Sequence, residues 1–303
     1  MWLFWTGCCV VAGIFTALLI AYFAQSPPAH KGTWIWDTPS IMSDREEIIA
    51  FLKQNDVTNL YLYVDRQNVP AKEYARFIKA ASHQGIRVEA LGGDPSWGLK
   101  SNRPYIQEFI EWVESYNTNV EEDERFSGIH LDIEPYLLPE WKSDQDHTLE
   151  EWLSNMEYIA REVQSPEPLE VSFDLPFWAN KIEIPGYQDY YLSKWILKRF
   201  NTLVLMDYRD TALGDDGIVA NALEAVKEAS SLGKSVIVGV DISKSREGNK
   251  TTFHEEGSRK MEEELAITKD QLEKYDGFRG IAVHGFPAWM SAYQKENAVP
   301  KGS

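Results

Sequence analysis

The sequence predicts an α/β protein: a closed (β/α)8 TIM barrel preceded by one N-terminal transmembrane helix. Three observations carry this. Eight short runs of β-branched and apolar residues alternate with longer helix-like stretches from residue 33 onward, the pattern of parallel strands covered by helices. Eight such units within residues 33–303 suit the usual size of a closed barrel, about 250 residues. From Trp2 to Ala24 there is no charged residue, and at a rise of about 1.5 Å per residue such a run crosses a hydrocarbon core of about 30 Å. An open, doubly wound sheet is the competing architecture. It would call for a G-x-G-x-x-G or Walker loop, and the chain has neither.

The first element, residues 1–25, reads as a retained signal anchor. A cleaved signal has a basic leading region and small residues before the cut; here no Lys or Arg precedes the run, and Tyr22 stands where a small residue belongs. Trp2, Trp5 and Tyr22 sit near its ends, as interfacial aromatic residues do. Both cysteines, Cys8 and Cys9, fall inside it, which leaves no thiol elsewhere for a disulfide, a Cys-ligated zinc or a Cys nucleophile. Residues 26–32, which include Pro27 and Pro28, form a short linker. These features predict a single-pass cell-membrane protein bound to the bilayer through this helix; the flanking charges do not set its orientation, and the barrel is expected outside the cytoplasm.

The barrel domain, residues 33–303, has strand-like runs beginning near Thr33 (TWIWD), Asn59 (NLYLYVD), Ile86 (IRVEALGGD), Ser127 (SGIHLDIE), Leu169 (LEVSFD), Asn201 (NTLVLMDY), Ser235 (SVIVGVD) and Gly280 (GIAVHGF). Capping boxes at Ser43 with Glu46 and at Thr148 with Glu151 mark two helix starts. Gly85 and Gly233 are placed to end helices.

Alternation within the runs separates two faces. In the fourth, Ile129, Leu131 and Ile133 share the side expected against the helices, while His130, Asp132 and Glu134 share the lumen side. The same parity groups Tyr61, Tyr63 and Asp65 in the second run, Ser172 with Asp174 in the fifth, and Gly239 with Asp241 in the seventh. Barrel active sites lie at the carboxyl ends of the strands, so Asp37, Asp65, Asp132, Glu134, Asp174, Asp207 and Asp241 are expected at one mouth. Asp after a strand also serves turns and caps. Glu134 has no such local reason, because Glu is a poor cap and a poor strand residue. His130 and His284 are expected inside the barrel as hydrogen-bond partners of Glu89 or Asp132.

Charge narrows the function classes. With 30 Lys+Arg against 47 Asp+Glu, the net charge is −17, and such a surface repels phosphate backbones, so no nucleic-acid partner is expected. No His-x-x-x-His or calcium-loop spacing is present, and neither a metal nor another cofactor is predicted. Trp36, Trp97, Trp178, Trp289 and Tyr136 lie within a few residues of strand ends, where flat faces stack on sugar rings when they are not simply packing.

The stretch FSGIHLDIEPY, Phe126 to Tyr136, resembles the fourth-strand motif of glycoside hydrolase family 18, D-G-[IVLF]-D-[IVL]-D-W-E. Glu134 falls on that family's catalytic acid and Asp132 on its partner. Ser127 and His130 stand where the family has Asp, and Ile133 replaces an aromatic residue. LVLMDYRD resembles the family's M-x-Y-D motif through Met206 and Tyr208, with Arg209 at the final Asp position and Asp207 and Asp210 as neighbouring substitutes. Trp289 is similar in place to the family's last-strand tryptophan, displaced by a few residues.

The resemblance implies a glycoside hydrolase acting on a polysaccharide or oligosaccharide of the cell envelope or extracellular space, with the substrate's N-acetyl group as nucleophile held by Asp132 and Tyr208. Glycosidic cleavage needs a protonated acid and a group that stabilises positive charge at the anomeric carbon. Two carboxyls on alternate residues, about 7 Å apart at the backbone, share a proton and raise one pKa. Glu134 is thus assigned as general acid, Asp132 as its partner, and Tyr208 and Asp207 as further catalytic candidates. Attack by Asp207 or Asp241 would make an N-acetyl group unnecessary. Trp36, Asp65, Trp97, Tyr136, Asp174, Trp178, Asp241 and Trp289 are the substrate-binding candidates. A catalytically inactive carbohydrate-binding barrel and a metal-assisted hydrolase are the alternatives.

Overall fold

The computed structural model describes residues 30–163 and 169–298. Eight parallel strands close on themselves in sequence order: β1 (His30–Ile35), β2 (Asn59–Tyr63), β3 (Arg87–Gly92), β4 (Gly128–Leu131), β5 (Glu170–Pro176), β6 (Thr202–Met206), β7 (Ser235–Asp241) and β8 (Phe278–His284). The expected (β/α)8 barrel is the fold observed. Closure joins β1 to β8 in the register His30↔Gly280 to Thr33↔Val283. A side chain on Gly280 would run into the His30 carbonyl, so the seam closes only on a residue without Cβ.

Each strand is followed by a helix: α1 (Arg45–Gln54), α2 (Ala71–Ser82), α3 (Arg103–Thr118), α4 (Gln145–Glu162), α5 (Leu192–Leu197), α6 (Ile218–Leu232), α7 (Gly257–Leu272) and α8 (Phe286–Asn297). Period-two alternation sorts the strand side chains into two cores. Ile129, Leu131, Leu203 and Leu205 join the large cluster between sheet and helices. Trp34, Tyr61, Leu91, Val204, Ile237 and Ala282 fill the lumen, with Tyr63 packed on them. The lumen is therefore a packed column, not a pore.

Local details differ from the sequence reading at the element ends. β1 starts at His30, inside the stretch read as linker, because its first residues pair with β8. α1 begins at Arg45, and Ser43 Oγ bonds Ser40 O and Asp44 Oδ2 instead of capping it. α4 is capped by Asp144, which accepts from His147 N at 3.1 Å, leaving Thr148 inside the first turn. Gly233 ends α6 in the left-handed conformation, φ 63°, and Gly85 turns the chain after α2 at φ 76°, as read from the sequence. The expected anchor, residues 1–25, lies outside the described residues. Among the described residues no helix is long and apolar enough to cross a membrane.

Candidate active site

The site is built on the carboxyl end of β4. Beyond Leu131 the chain stays hydrogen-bonded to β3 through Asp132 N and Gly92 O, 3.0 Å apart, so Asp132 keeps the lumen parity of His130. Two glycines let the loop after β3 close over this segment. A Cβ at Gly93 would overlap the Asp132 carbonyl, and one at Gly98 would overlap the Pro135 ring. Pro135 then stops the strand and starts a single tight turn, Pro135–Leu137. That turn folds Tyr136 back so that its hydroxyl donates to Glu134 Oε2. Trp178 packs edge-on against Tyr136 at 5.0 Å and Trp141 at 6.4 Å.

Asp132 is half-buried, and its Oδ1 is buried with no hydrogen-bond partner. Burial, then the charges of Asp174 and Glu134, push its pKa well above the ordinary carboxylate range. Asp174 reaches the same region from β5. Its Oδ2 accepts from Trp34 Nε1 at 2.9 Å and lies 2.8 Å from His130 Nε2, while Oδ1 is buried and unpartnered. Its pKa is also raised, chiefly by burial, although the Trp34 hydrogen bond opposes this.

Tyr208 follows β6 with lumen parity, after Val204 and Met206. Its ring stacks on His284 at 5.8 Å. Burial raises its pKa first, and the charges of Asp174, Asp132, Asp241 and Glu134 raise it further. The phenol therefore stays protonated as a donor among four carboxyl groups. Asp241, at the end of β7, accepts from Ser243 N at 2.9 Å and sits 3.1 Å from His284 Nδ1. The geometry thus gathers Asp132, Glu134, Asp174, Asp241 and Tyr208 at one mouth.

Other candidates fall elsewhere. Asp207 shares the outward parity of Leu203 and Leu205, is fully buried, and accepts from Asn221 Nδ2 of α6 at 3.0 Å; it belongs to the helix layer, not to the lumen. Arg209 is likewise turned away, donating to Tyr208 O and Asp216 Oδ1. Asp65 is spent on its own turn, accepting from Gln67 N, Asn68 N and Asn68 Nδ2, which hold its pKa down. Asp37 is exposed on the rim.

Among the aromatic candidates, Trp289 is 0% exposed beneath α8, edge-on to Phe51 at 5.1 Å, and an indole with no exposed face cannot stack on a sugar. Trp97 packs on Phe109 at 5.8 Å. Trp36 is 39% exposed beside Tyr63 and borders a groove of about 210 Å3 with Phe286, Pro287 and Met290. His130 binds Ser172 and Asp174, not Asp132, and His284 binds Asp241. Trp34 was not singled out from the sequence. Its parity opposite Ile35 was the available signal, because Ile35 packs outward.

No protein-family model matches the chain, and no curated protein matches it in sequence. Solved structures do match. A chitinase from Chromobacterium violaceum superposes with a TM-score of 0.54 over 89% of this chain and 99% of its own, at 12% identity. A GH18 chitinase from Pseudoalteromonas aurantia gives 0.57 over 88% and 99%, at 14% identity. The spore cortex-lytic enzyme SleL of Bacillus cereus gives 0.51 over 90% and 75%, at 13% identity. At such identities the likeness is one of fold, and the chain has the closed eight-stranded barrel of the GH18 chitinases.

Proposed function

We propose that this barrel is a glycoside hydrolase acting on an N-acetylhexosamine-containing glycan, with Glu134 as general acid. The observation that carries the reading is the convergence of Asp132 and Glu134, on alternate residues at the end of β4, with the protonated phenol of Tyr208. In this reading Glu134 gives its proton to the leaving glycosidic oxygen, and Asp132 faces the positive charge that develops at the anomeric carbon. Tyr208 donates a hydrogen bond to the substrate's N-acetyl oxygen, which attacks from below the ring. Asp207 faces α6 and Asp241 is tied to Ser243 and His284, which favours this substrate-assisted route over a side-chain nucleophile. Tyr136 and Trp178 supply apolar faces beside Glu134. The uncharged run Trp2–Ala24 supports tethering to a membrane, and a glycan of the envelope or extracellular space as substrate would place the barrel on the extracytoplasmic side.

A second reading, a carbohydrate-binding barrel without turnover, is favoured by one observation: Arg209 stands beside Tyr208 and turns to Asp216, so β6 brings no carboxylate into the lumen. Reducing-end release from N-acetylglucosamine polymers and cell-wall glycans by the purified protein separates the two. Turnover in the parent and a loss of about 10²-fold or more in Glu134→Gln supports the acid. Equal residual release from both proteins sinks it, and saccharide binding without release in either points to the binding barrel.

A further inference from the structure

Behind the proposed catalytic pair, the lumen holds an unbroken hydrogen-bonded chain of four side chains from three strands. Glu89 Oε2 of β3 is 2.7 Å from Ser172 Oγ of β5. Ser172 Oγ is 2.7 Å from His130 Nδ1 of β4, and His130 Nε2 is 2.8 Å from Asp174 Oδ2 of β5. All four residues are buried.

A neutral imidazole has one N–H and one lone pair, a hydroxyl has one hydrogen, and an ionised carboxylate only accepts. With no proton on either carboxyl, one of the three links, Glu89 to Ser172, Ser172 to Nδ1 or Nε2 to Asp174, meets lone pair to lone pair. With a proton on both, the Ser172 hydrogen has no acceptor. With one proton, every link of the chain matches a donor to an acceptor, and it does so in two ways; the Trp34 N–H, 3.2 Å from Nε2 and 2.9 Å from Asp174 Oδ2, is shared between the two atoms in the first and donates to Asp174 alone in the second. In the first, Asp174 O–H donates to Nε2, Nδ1–H donates to Ser172, and Ser172 donates to Glu89. In the second, Glu89 O–H donates to Ser172, Ser172 donates to Nδ1, and Nε2–H donates to Asp174.

We infer that Glu89, Ser172, His130 and Asp174 form a one-proton relay that switches the charge on Asp174 and thereby sets the protonation of Asp132. The transfer balances within the chain. The Glu89 O–H bond breaks as a new Ser172 O–H bond forms; the original Ser172 O–H breaks as Nδ1–H forms; Nε2–H breaks as Asp174 O–H forms. One unit of negative charge thus passes from the mouth to the base of the lumen, or back, with only hydrogens moving. The unpartnered Asp132 Oδ1 and Asp174 Oδ1 are the two buried oxygens that feel the change.

The surroundings agree. Burial holds the His130 pKa down to about 4, so the ring is neutral near pH 7, and burial raises both Glu89 and Asp174. Facing the relay are Trp34 and His30 from β1, Tyr61 from β2, Arg87 from β3, Asp132 and Glu134 from β4, and Glu170 from β5. Tyr208 follows β6, Asp241 ends β7, and His284 ends β8. The relay places on β3 and β5 what the β4 sequence lacks at position 130. Its role in turnover, letting Asp132 ionise as positive charge grows on the sugar, rests on the hydrolase reading above.

The test is the tautomer of His130 by 15N NMR on the full chain in detergent, its signals identified by their loss in His130→Asn. In the parent, raising the pH is expected to move the ring from Nε2–H toward Nδ1–H as Asp132 ionises and draws the relay proton to Asp174. Asp132→Asn abolishes that shift. Asn59 Nδ2 donates to Glu89 Oε1, so in Glu89→Gln the new amide nitrogen faces Ser172 and locks Nε2–H at every pH. If Glu89→Gln does not fold, Ser172→Ala cuts the chain and abolishes the same shift.

A single fixed tautomer in the parent, a shift that survives Glu89→Gln, or an imidazolium near neutrality overturns the relay. In activity, Glu89→Gln keeps Asp174 charged and is expected to raise the alkaline limb of the pH–rate profile by about one unit; an unmoved limb overturns the link to Asp132. Tautomer exchange without turnover in the parent leaves the relay standing and removes the hydrolase reading. Turnover with a frozen imidazole removes the relay alone.

Discussion

Trp34 on β1 donates its indole N–H to Asp174 on β5 at 2.9 Å, spanning the inside of the barrel. The contact answers part of the cost of burying a carboxyl group in the lumen. It is a tether as well, because the same indole packs on Tyr61 at 5.0 Å and edge-on to His130 at 6.1 Å. Trp34→Phe keeps most of the volume and removes the donor. The variant is expected to lose about 1–2 kcal/mol in urea unfolding. It should also favour the protonated form of Asp174, whose pKa the Trp34 hydrogen bond lowers. An unchanged unfolding midpoint would show that the indole N–H carries no weight.

Gly93 and Asp132 form the tightest approach in the site, since a Cβ on the glycine would meet the Asp132 carbonyl, carbon and amide. Backbone on both sides leaves nothing flexible to give way. Gly93→Ala is expected to move Asp132 and cut kcat by at least tenfold, with the barrel still folded by far-UV circular dichroism. A displacement of about 1 Å is enough for such losses. Full activity in that variant would mean the loop relaxes without disturbing β4.

Tyr208 is expected to act as a hydrogen-bond donor to the reacting sugar. Buried, and surrounded by carboxyl groups, its phenol does not ionise near neutrality, so Tyr208→Phe removes a donor and no charge. A loss of about 10²–10³-fold in kcat is expected, the size found for single donors that act on developing charge. A rise in KM with kcat unchanged would assign the residue to ground-state binding instead.

Asp207 supplies a pH signature independent of the site. Burial raises its carboxyl to about 7, against about 3.9 in an unfolded chain. Between those values the native state holds a proton that the unfolded chain has released, so stability falls as the pH rises through the window and levels off above about 7. Asp207→Asn cannot ionise. Its unfolding free energy in urea, followed from about pH 4 to about pH 8, is expected to gain steadily on the parent, by a few kcal/mol at the upper end. Turnover should change by no more than a few-fold, because the side chain faces α6. Parallel stability curves would contradict the burial argument, and lost turnover would return Asp207 to the catalytic set.

How much of this was legible follows from which signals are one-dimensional. Parity is, so Ile129 and Leu131 against His130 on β4, and Ser172 with Asp174 on β5, lie as the alternation requires. The same rule applied to Leu203, Leu205 and Asp207 puts Asp207 outward; its place at a strand end and the resemblance to a motif ending in Asp suggested otherwise. Asp65 was ambiguous in principle, because an Asp after a strand serves a turn as readily as a site, and here Gln67 and Asn68 claim it. For Trp289, the spacing Phe286, Trp289, Met290, Tyr293 marks a helix face. The chain from Glu89 through Ser172 and His130 to Asp174 was not legible as a whole. It depends on the registers of β3, β4 and β5, and its first link joins residues 83 apart.

Trp178 and Trp289 separate binding from packing in one comparison. Trp178 is half-buried against Tyr136, whose hydroxyl donates to Glu134, while Trp289 is enclosed among Phe51, Lys31 and the helix layer. Trp178→Ala is expected to weaken binding of N-acetylglucosamine oligomers about tenfold, or ~1.4 kcal/mol, with little change in melting temperature. Trp289→Phe is expected to lower stability by about 1–2 kcal/mol while leaving oligomer affinity in place. Calorimetric titration of both variants at a temperature where each is folded decides it. Equal affinity in Trp178→Ala and the parent would place the sugar on another face of the mouth, with Trp36 beside Tyr63 as the remaining exposed platform.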